Sequence, residues 1–113
     1  MDYAAFAEAW EAGWNSHNLD RILAHYSEDV TFRSQKAMRL VGSGELHGKP
    51  ALRAYWARAL DAQPDLSFIV VDVLYGHGMM VITYRNQRDV LAAETLRFAA
   101  DGLVVEASAC HQP

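Results

Sequence analysis

The apolar positions of the 113-residue chain change their period part-way along it. In the first half they recur every three or four residues, the spacing of helices with one buried face. Phe6, Trp10 and Trp14 fall four apart, with Ala7 and Gly13 beside them, so residues 2–17 predict a helix. Asp2 suits its N-cap, because a carboxylate accepts the free amide hydrogens of a first turn. Asn18 suits the cap of a short second helix striped by Leu19, Ile22, Leu23 and Tyr26. Leu52, Tyr55, Trp56, Ala59 and Leu60 stripe a third. Pro50 opens it where a missing amide hydrogen costs nothing, and Pro64 stops it.

Val30, Thr31 and Phe32 favour a strand. Residues 34–48, SQKAMRLVGSGELHG, hold three of the seven glycines and read as the least ordered stretch. From residue 66 onward alternation replaces the helical period. Strands are predicted over residues 66–75, 79–85, 90–100 and 103–111, broken at Gly76-His77-Gly78, Asn86 to Asp89 and Asp101-Gly102. The last break is a strong hairpin signal. Helices first and an antiparallel meander afterwards indicate one α+β domain spanning residues 1–113. In the first meander strand Phe68, Val70 and Leu74 share one parity, and Ile69, Val71, Val73 and Tyr75 the other. Both sets are apolar, which predicts burial on both faces. The helices cover one face, and a second copy of the chain is the simplest cover for the other, so a homodimer through the outer sheet face is expected.

Composition narrows the function classes. Apolar residues make up 51% and charged ones 21%, as in globular proteins. Fourteen acids against ten bases leave a net charge of −4, which argues against a nucleic-acid partner. No apolar run approaches the ~18 residues of a membrane span, and residues 1–15 lack the basic start of a secretory signal. Cys110 is the sole cysteine, so no internal disulfide forms and a cytoplasmic location is the default. Its parity places it on the outer face, as a thiol buried in the dimer. His17, His25, His47, His77 and His111 form no metal-ligand motif, and no metal is expected. The chain has no glycine-rich phosphate loop or dinucleotide fingerprint, and no cofactor is expected. Arg33, Lys36 and Arg39 form a short basic run, read first as a solvated loop and otherwise as an attractor for an anionic substrate or a phosphate at a pocket mouth.

The runs WEAGWNSHNLDRILAHYSEDVTF, GKPALRAYWARAL and ETLRFAADGLV, with Tyr84-Arg85, resemble SnoaL-like proteins of the nuclear transport factor 2 superfamily. The resemblance covers almost the whole chain. It implies a cone-shaped, cystatin-like α+β barrel: three helices from the N-terminal half packed in a curved, mostly antiparallel sheet. Such a cone is open at one end over a pocket, and relatives often dimerise through the outer face. The superfamily includes polyketide cyclases, ketosteroid isomerases, dehydratases, epoxide hydrolases and non-catalytic binding modules, so activity has to be read from the site.

Two residues stand out there. Glu94 is the one charge on a face shared with Val90, Ala92, Leu96 and Phe98, and His111 is the polar exception on a face with Leu103, Val105, Ala107 and Ala109. A two-residue turn at Asp101-Gly102 pairs Phe98 with Val105, Leu96 with Ala107, Glu94 with Ala109 and Ala92 with His111. Glu94 and His111 then become diagonal neighbours able to form an acid/base couple, the catalytic candidates. The alternative is a structural anchor at Glu94 and a frayed end at His111. By resemblance, Glu94 matches the position where ketosteroid isomerases hold a protonated aspartic acid. Trp10 falls at their oxyanion-hole tyrosine and Ser34 at their general base. Serine cannot replace a carboxylate base, which argues against that activity. Trp10, Trp14, Tyr55 and Tyr84 are expected to line a pocket for a hydrophobic small molecule, with Asp72 as a second pocket carboxylate. Three readings stay open: a cofactor-free enzyme of isomerisation, cyclisation or hydration, a non-catalytic binder, and a dimeric interaction module.

Overall fold

The computed structural model describes residues 1–113 as four helices and six strands. α1 spans Tyr3–Ser16 and is capped by Asp2, whose carboxylate accepts from the Ala5 amide at 3.0 Å. α2, Leu19–Leu23, is capped by Asn18, which accepts from Arg21 N–H at 3.1 Å. β1 (Tyr26–Ser34) leads into α3 (Gln35–Val41), and β2 (Glu45–His47) precedes α4 (Lys49–Ala62). The meander follows as β3 (Ile69–Gly76), β4 (Met79–Arg85), β5 (Leu91–Phe98) and β6 (Val104–His111).

The expected helices and meander are present. The stretch read as least ordered holds a fourth helix and a short strand. Ser34 caps α3, its Oγ accepting from Lys36 N–H at 3.2 Å, and Gly42 ends the helix at φ 80°. The strand order is β2-β1-β6-β5-β4-β3. β1 runs parallel to β6 and every other pair is antiparallel, so the sheet is mixed and curved, with free edges at β2 and β3. The expected barrel is thus an unclosed cone.

Helices and the inner sheet face share one aromatic core. Trp56 of α4 packs edge-on against Trp14 at 4.9 Å and Tyr26 at 5.0 Å between ring centroids. Trp10 stacks on Phe68 at 5.6 Å and meets Tyr84 at 5.1 Å. The N-terminal end of β3 is tied to α1 by polar groups. Asn15 exchanges two hydrogen bonds with the Phe68 backbone, at 2.9 and 2.7 Å, and Glu11 accepts from Val70 N–H at 2.7 Å.

Two irregularities correct the expected register. In β3, Val70 pairs with Tyr84 but Asp72 pairs with Thr83, so Val71 is an extra residue. An extra residue inverts strand parity. Asp72 is therefore exposed on the outer face, its backbone N–H donating to Thr83 Oγ1 at 2.9 Å, and is not a pocket carboxylate. In the β5–β6 hairpin Phe98 pairs with Val104 rather than Val105. The loop closes from Ala99 N–H to Leu103 O at 2.9 Å, and the shift is absorbed before Arg97. Glu94↔Ala109, Ala92↔His111 and Leu96↔Ala107 pair as expected.

The outer face differs by strand. Ile69, Val71 and Leu74 of β3 are at least half exposed. β5 and β6 carry polar pairs there, with Thr95 donating to Ser108 at 3.1 Å and Arg97 to Glu106 at 3.3 Å. Cys110 is exposed in the single chain rather than buried.

Candidate functional site

Strand alternation turns Ala92, Glu94 and Leu96 of β5 inward, all three buried. One row across the sheet places Ser34 beside Ala109, Ala109 beside Glu94, and Glu94 beside Ile82. The next row, nearer the open end, sets His111 and Tyr84 on either side of Ala92. Both lie diagonal to Glu94. The alanines at 92 and 109 fill little of the space between these polar residues.

A cavity of about 60 Å³ lies there. It is lined by Glu94, His111, Ser34, Tyr55 and Tyr84, with Trp14 and Trp56 as part of its apolar wall. That volume accepts about two water-sized groups, such as the carbonyl or hydroxyl end of a ligand. It opens onto a mouth of about 760 Å³ that shares Ser34, Lys36, Gln63, Asn86, Ala109 and His111 with it.

Glu94 is 4% exposed. Burial alone pushes its carboxyl up to about 8, and no protein donor or cation pulls it back. A carboxylate that gains neither a hydrogen bond nor a counter-charge in a dry site stays protonated. At pH 7 the neutral acid therefore prevails by about ten to one. Tyr26, Tyr55 and Tyr84 lie within electrostatic range of it without bonding to it: burial first, and Glu94 after it, raises each phenol above the usual range, against a hydrogen bond to Ser34 at Tyr55. Tyr26 Oη and Trp10 Nε1 sit deeper, both buried and near each other, with no other polar partner.

His111 is half-buried and is held down to about 4, first by burial and then by the charges of Lys36 and Arg39. It is neutral at pH 7. The two are therefore not an ion pair: Glu94 and His111 share the cavity as a neutral acid and a neutral base. Neither figures in the other's titration. A neutral carboxyl can donate one proton and a neutral imidazole can accept one.

Of the remaining expected residues, Trp14, Tyr55 and Tyr84 line the cavity. Trp10 does not. It is 1% exposed and lies behind Phe68 and Tyr84 as core, because the rotation of α1 against the sheet turns its ring away from the opening. Ser34 lines the cavity beside Tyr55 and is occupied as the α3 cap. Sequence reasoning missed Gln63 and Asn86 as lining residues. Lys36 had a signal in the short basic run, whereas the two amides arrive from elements whose proximity is tertiary. No group of three or more His, Cys, Asp or Glu gathers at metal-binding distance.

A family model described as a SnoaL-like domain matches residues 7–107. The chain belongs to the SnoaL-like family. The crystal structure of a SnoaL-like protein of unknown function from Burkholderia thailandensis E264 is 37% identical, with TM-score 0.92 over 98% of this chain and 95% of that one. More remote structures share the fold. TerC, co-crystallised with polyporic acid, is 12% identical with TM-score 0.81 over 99% of this chain and 92% of that one. A nuclear transport factor 2-like protein of unknown function from Burkholderia pseudomallei K96243 is 14% identical with TM-score 0.79, again over 99% and 92%. No curated protein matches the sequence significantly. The SnoaL-like architecture explains why the helices of this chain sit inside a curved sheet. The chemistry of its cavity rests on the side chains described above.

Proposed function

We propose that this SnoaL-like protein is a cofactor-free enzyme acting by proton transfer on a hydrophobic small molecule with an enolisable or hydratable carbonyl. The carrying observation is the state of Glu94: it faces a cavity and no protein donor ties it up. A purely structural anchor would be hydrogen-bonded, since an unpaired buried polar group costs ~1–3 kcal/mol. In the proposed reaction the carbonyl oxygen enters the inner cavity and accepts a hydrogen bond or proton from Glu94. His111, at the same opening, takes the proton from the adjacent carbon. Negative charge developing on oxygen is then met by a positioned donor in a water-poor site. The aromatic wall of Trp14, Tyr55, Trp56 and Tyr84 encloses the carbonyl end, and the flat apolar part extends from it into the mouth. Isomerisation and aldol-type cyclisation begin from this step; in hydration His111 instead takes its proton from the attacking water.

The proposal includes a homodimer through the outer face of β3 and a cytoplasmic setting. No helix is long and apolar enough to cross a membrane.

The test is exchange of the α-protons of 2-tetralone into D₂O, followed by NMR. The protein is expected to accelerate exchange, and Glu94→Gln to lower the acceleration by about 100-fold, the lower end for a general acid or base. His111→Ala is expected to lower it similarly. Binding of the ketone with no acceleration above buffer overturns the enzymatic reading and leaves a non-catalytic binder.

A further inference from the structure

The open end of the cone carries charge that this proton-transfer chemistry does not use. Lys36 and Arg39 project from α3, and Arg88 from the turn between β4 and β5; all three line the mouth. No Asp or Glu is among the residues of that mouth. A fourth cation there, Arg33, is engaged by Glu45 and Glu106, each at 2.7 Å. Lys36, Arg39 and Arg88 enter no ion pair. In a chain of net charge −4 this is a local reversal of sign.

The backbone segments that carry the three cations are also fixed. Asn86 Oδ1 accepts from the backbone N–H of Arg88 at 2.9 Å and of Val90 at 3.1 Å, and Asp89 adopts φ 59° to close the turn. Gln87 fastens that turn to the end of α4, donating to Gln63 Oε1 at 2.8 Å. On the other side Ala37 is fully buried and Ser34 caps α3, so Lys36 is fixed at its root. Like charges gathered without a counter-charge repel one another. Burial, then Arg88 and Arg39, hold the Lys36 ammonium below its ordinary range. A ligand anion would relieve that repulsion and gain from all three charges at once. Lys36 and His111 line both the mouth and the inner cavity, so one ligand can reach both.

We propose that Lys36, Arg39 and Arg88 form an anion-recognition subsite, and that the natural ligand carries a carboxylate or phosphate at the mouth and its apolar, carbonyl-bearing part toward Glu94. The inference rests on the pocket reading above and deepens it by naming the substrate class. Arg88 and the α3 cations become specificity-determining residues, while Glu94 and His111 do the chemistry.

The test is titration of the ¹⁵N-labelled full chain at low salt with 2-naphthoate, 2-naphthyl phosphate and neutral 2-naphthamide. At least one anion is expected to bind about tenfold or more tighter than the amide, shifting the resonances of Lys36, Arg88 and His111. The order of the two anions identifies the preferred headgroup. The combined variant Lys36→Gln, Arg39→Gln, Arg88→Gln is expected to bring the ratio below about twofold. The double reversal Arg39→Glu, Arg88→Glu, at exposed positions only, is expected to invert it. Equal binding of all three probes, with shifts at Ala109 and His111, overturns the anion subsite and leaves the pocket standing. An anion preference that survives both variants places the anion elsewhere and overturns it too. No shift at Ala109 or His111 with any probe overturns the subsite and the pocket together.

Discussion

A carboxyl with no donor in reach titrates differently in the folded and unfolded chain, and Glu94 shows the consequence. Its folded value is raised from 4.5 to about 8. The folded protein therefore holds a proton that the unfolded chain releases, and stability falls as pH rises from about 4.5 to 8. His111 works in the opposite sense. Its folded value is lowered from 6.5 to about 4, so the unfolded chain binds the extra proton and stability rises from about pH 4 to 6.5. The two effects oppose each other in the acid range. Above pH 6.5 Glu94 dominates, opposed by the last of the titration of His111 and of His25, whose folded value burial also lowers. Urea unfolding is expected to show a net loss of roughly 1 kcal/mol between pH 6.5 and 8. Glu94→Gln, which cannot ionise, is expected to show no loss over that window, only the small gain from the histidines. An equal slope in both proteins would mean that Glu94 is already ionised, and with it the neutral-acid chemistry would fall.

At the scale of elements, much of the fold is written locally. Asp2 and Asn18 cap the helices their positions suggest, β4 has its expected bounds, and the inward parity of Glu94 follows from alternation within one strand. Features that depend on contacts between elements are not legible in this way. α3 lies in a glycine-rich stretch whose helix is short, and its one buried side chain, Ala37, gives no apolar stripe. The β3 bulge has no signature in a run that is apolar on both parities, and it moved Asp72 from the expected cavity to solvent. Whether Trp10 faced the cavity depended on how α1 rolls against the sheet. Arg88 meets Lys36 and Arg39 only because the β4–β5 turn folds back to α3. Glycines 42 and 48 permit a direct check of which junctions are under conformational demand. Gly42 sits at φ 80°, ψ 7°, a left-handed helix end that other residues tolerate at ~1 kcal/mol. Gly48 sits at φ 87°, ψ 152°, a region reserved for glycine, while its N–H donates to Val30 O at 2.7 Å. No atom lies closer than 3.7 Å to a Cβ added there, so the cost is conformational rather than a clash. Gly48→Ala is expected to cost about 2–3 kcal/mol in urea unfolding, clearly more than Gly42→Ala. The reverse order would show that the β2–α4 junction relaxes without loss.

For the whole molecule the unsettled balance is on the outside of the sheet. The inner face is fully used: helices, aromatic core and cavity occupy it. The outer face of β3 leaves Ile69 at 68%, Val71 at 50% and Leu74 at 55% exposure, on a strand that is also a free edge. Clustered apolar side chains on such a surface mark an interface more often than scattered exposed leucines do. The bulge contributes to this, because the parity change turns Leu74 outward together with Asp72. A second copy of the chain could bury the patch by a two-fold contact, with the Thr95–Ser108 and Arg97–Glu106 pairs of β5 and β6 at its polar margin. The chain is expected to run at twice its monomer mass in size-exclusion chromatography with light scattering. Ile69→Lys with Leu74→Glu is expected to yield a monomer, since charges on both residues cannot be buried without partners. The cavity lies across the sheet from this face, so the monomeric variant is also expected to keep the anion preference measured at the mouth. A wild-type chain that stays monomeric at high concentration would assign the patch to some other partner. A variant that loses both dimer and ligand binding would instead show that the curvature of the sheet, and with it the cavity, depends on the second copy.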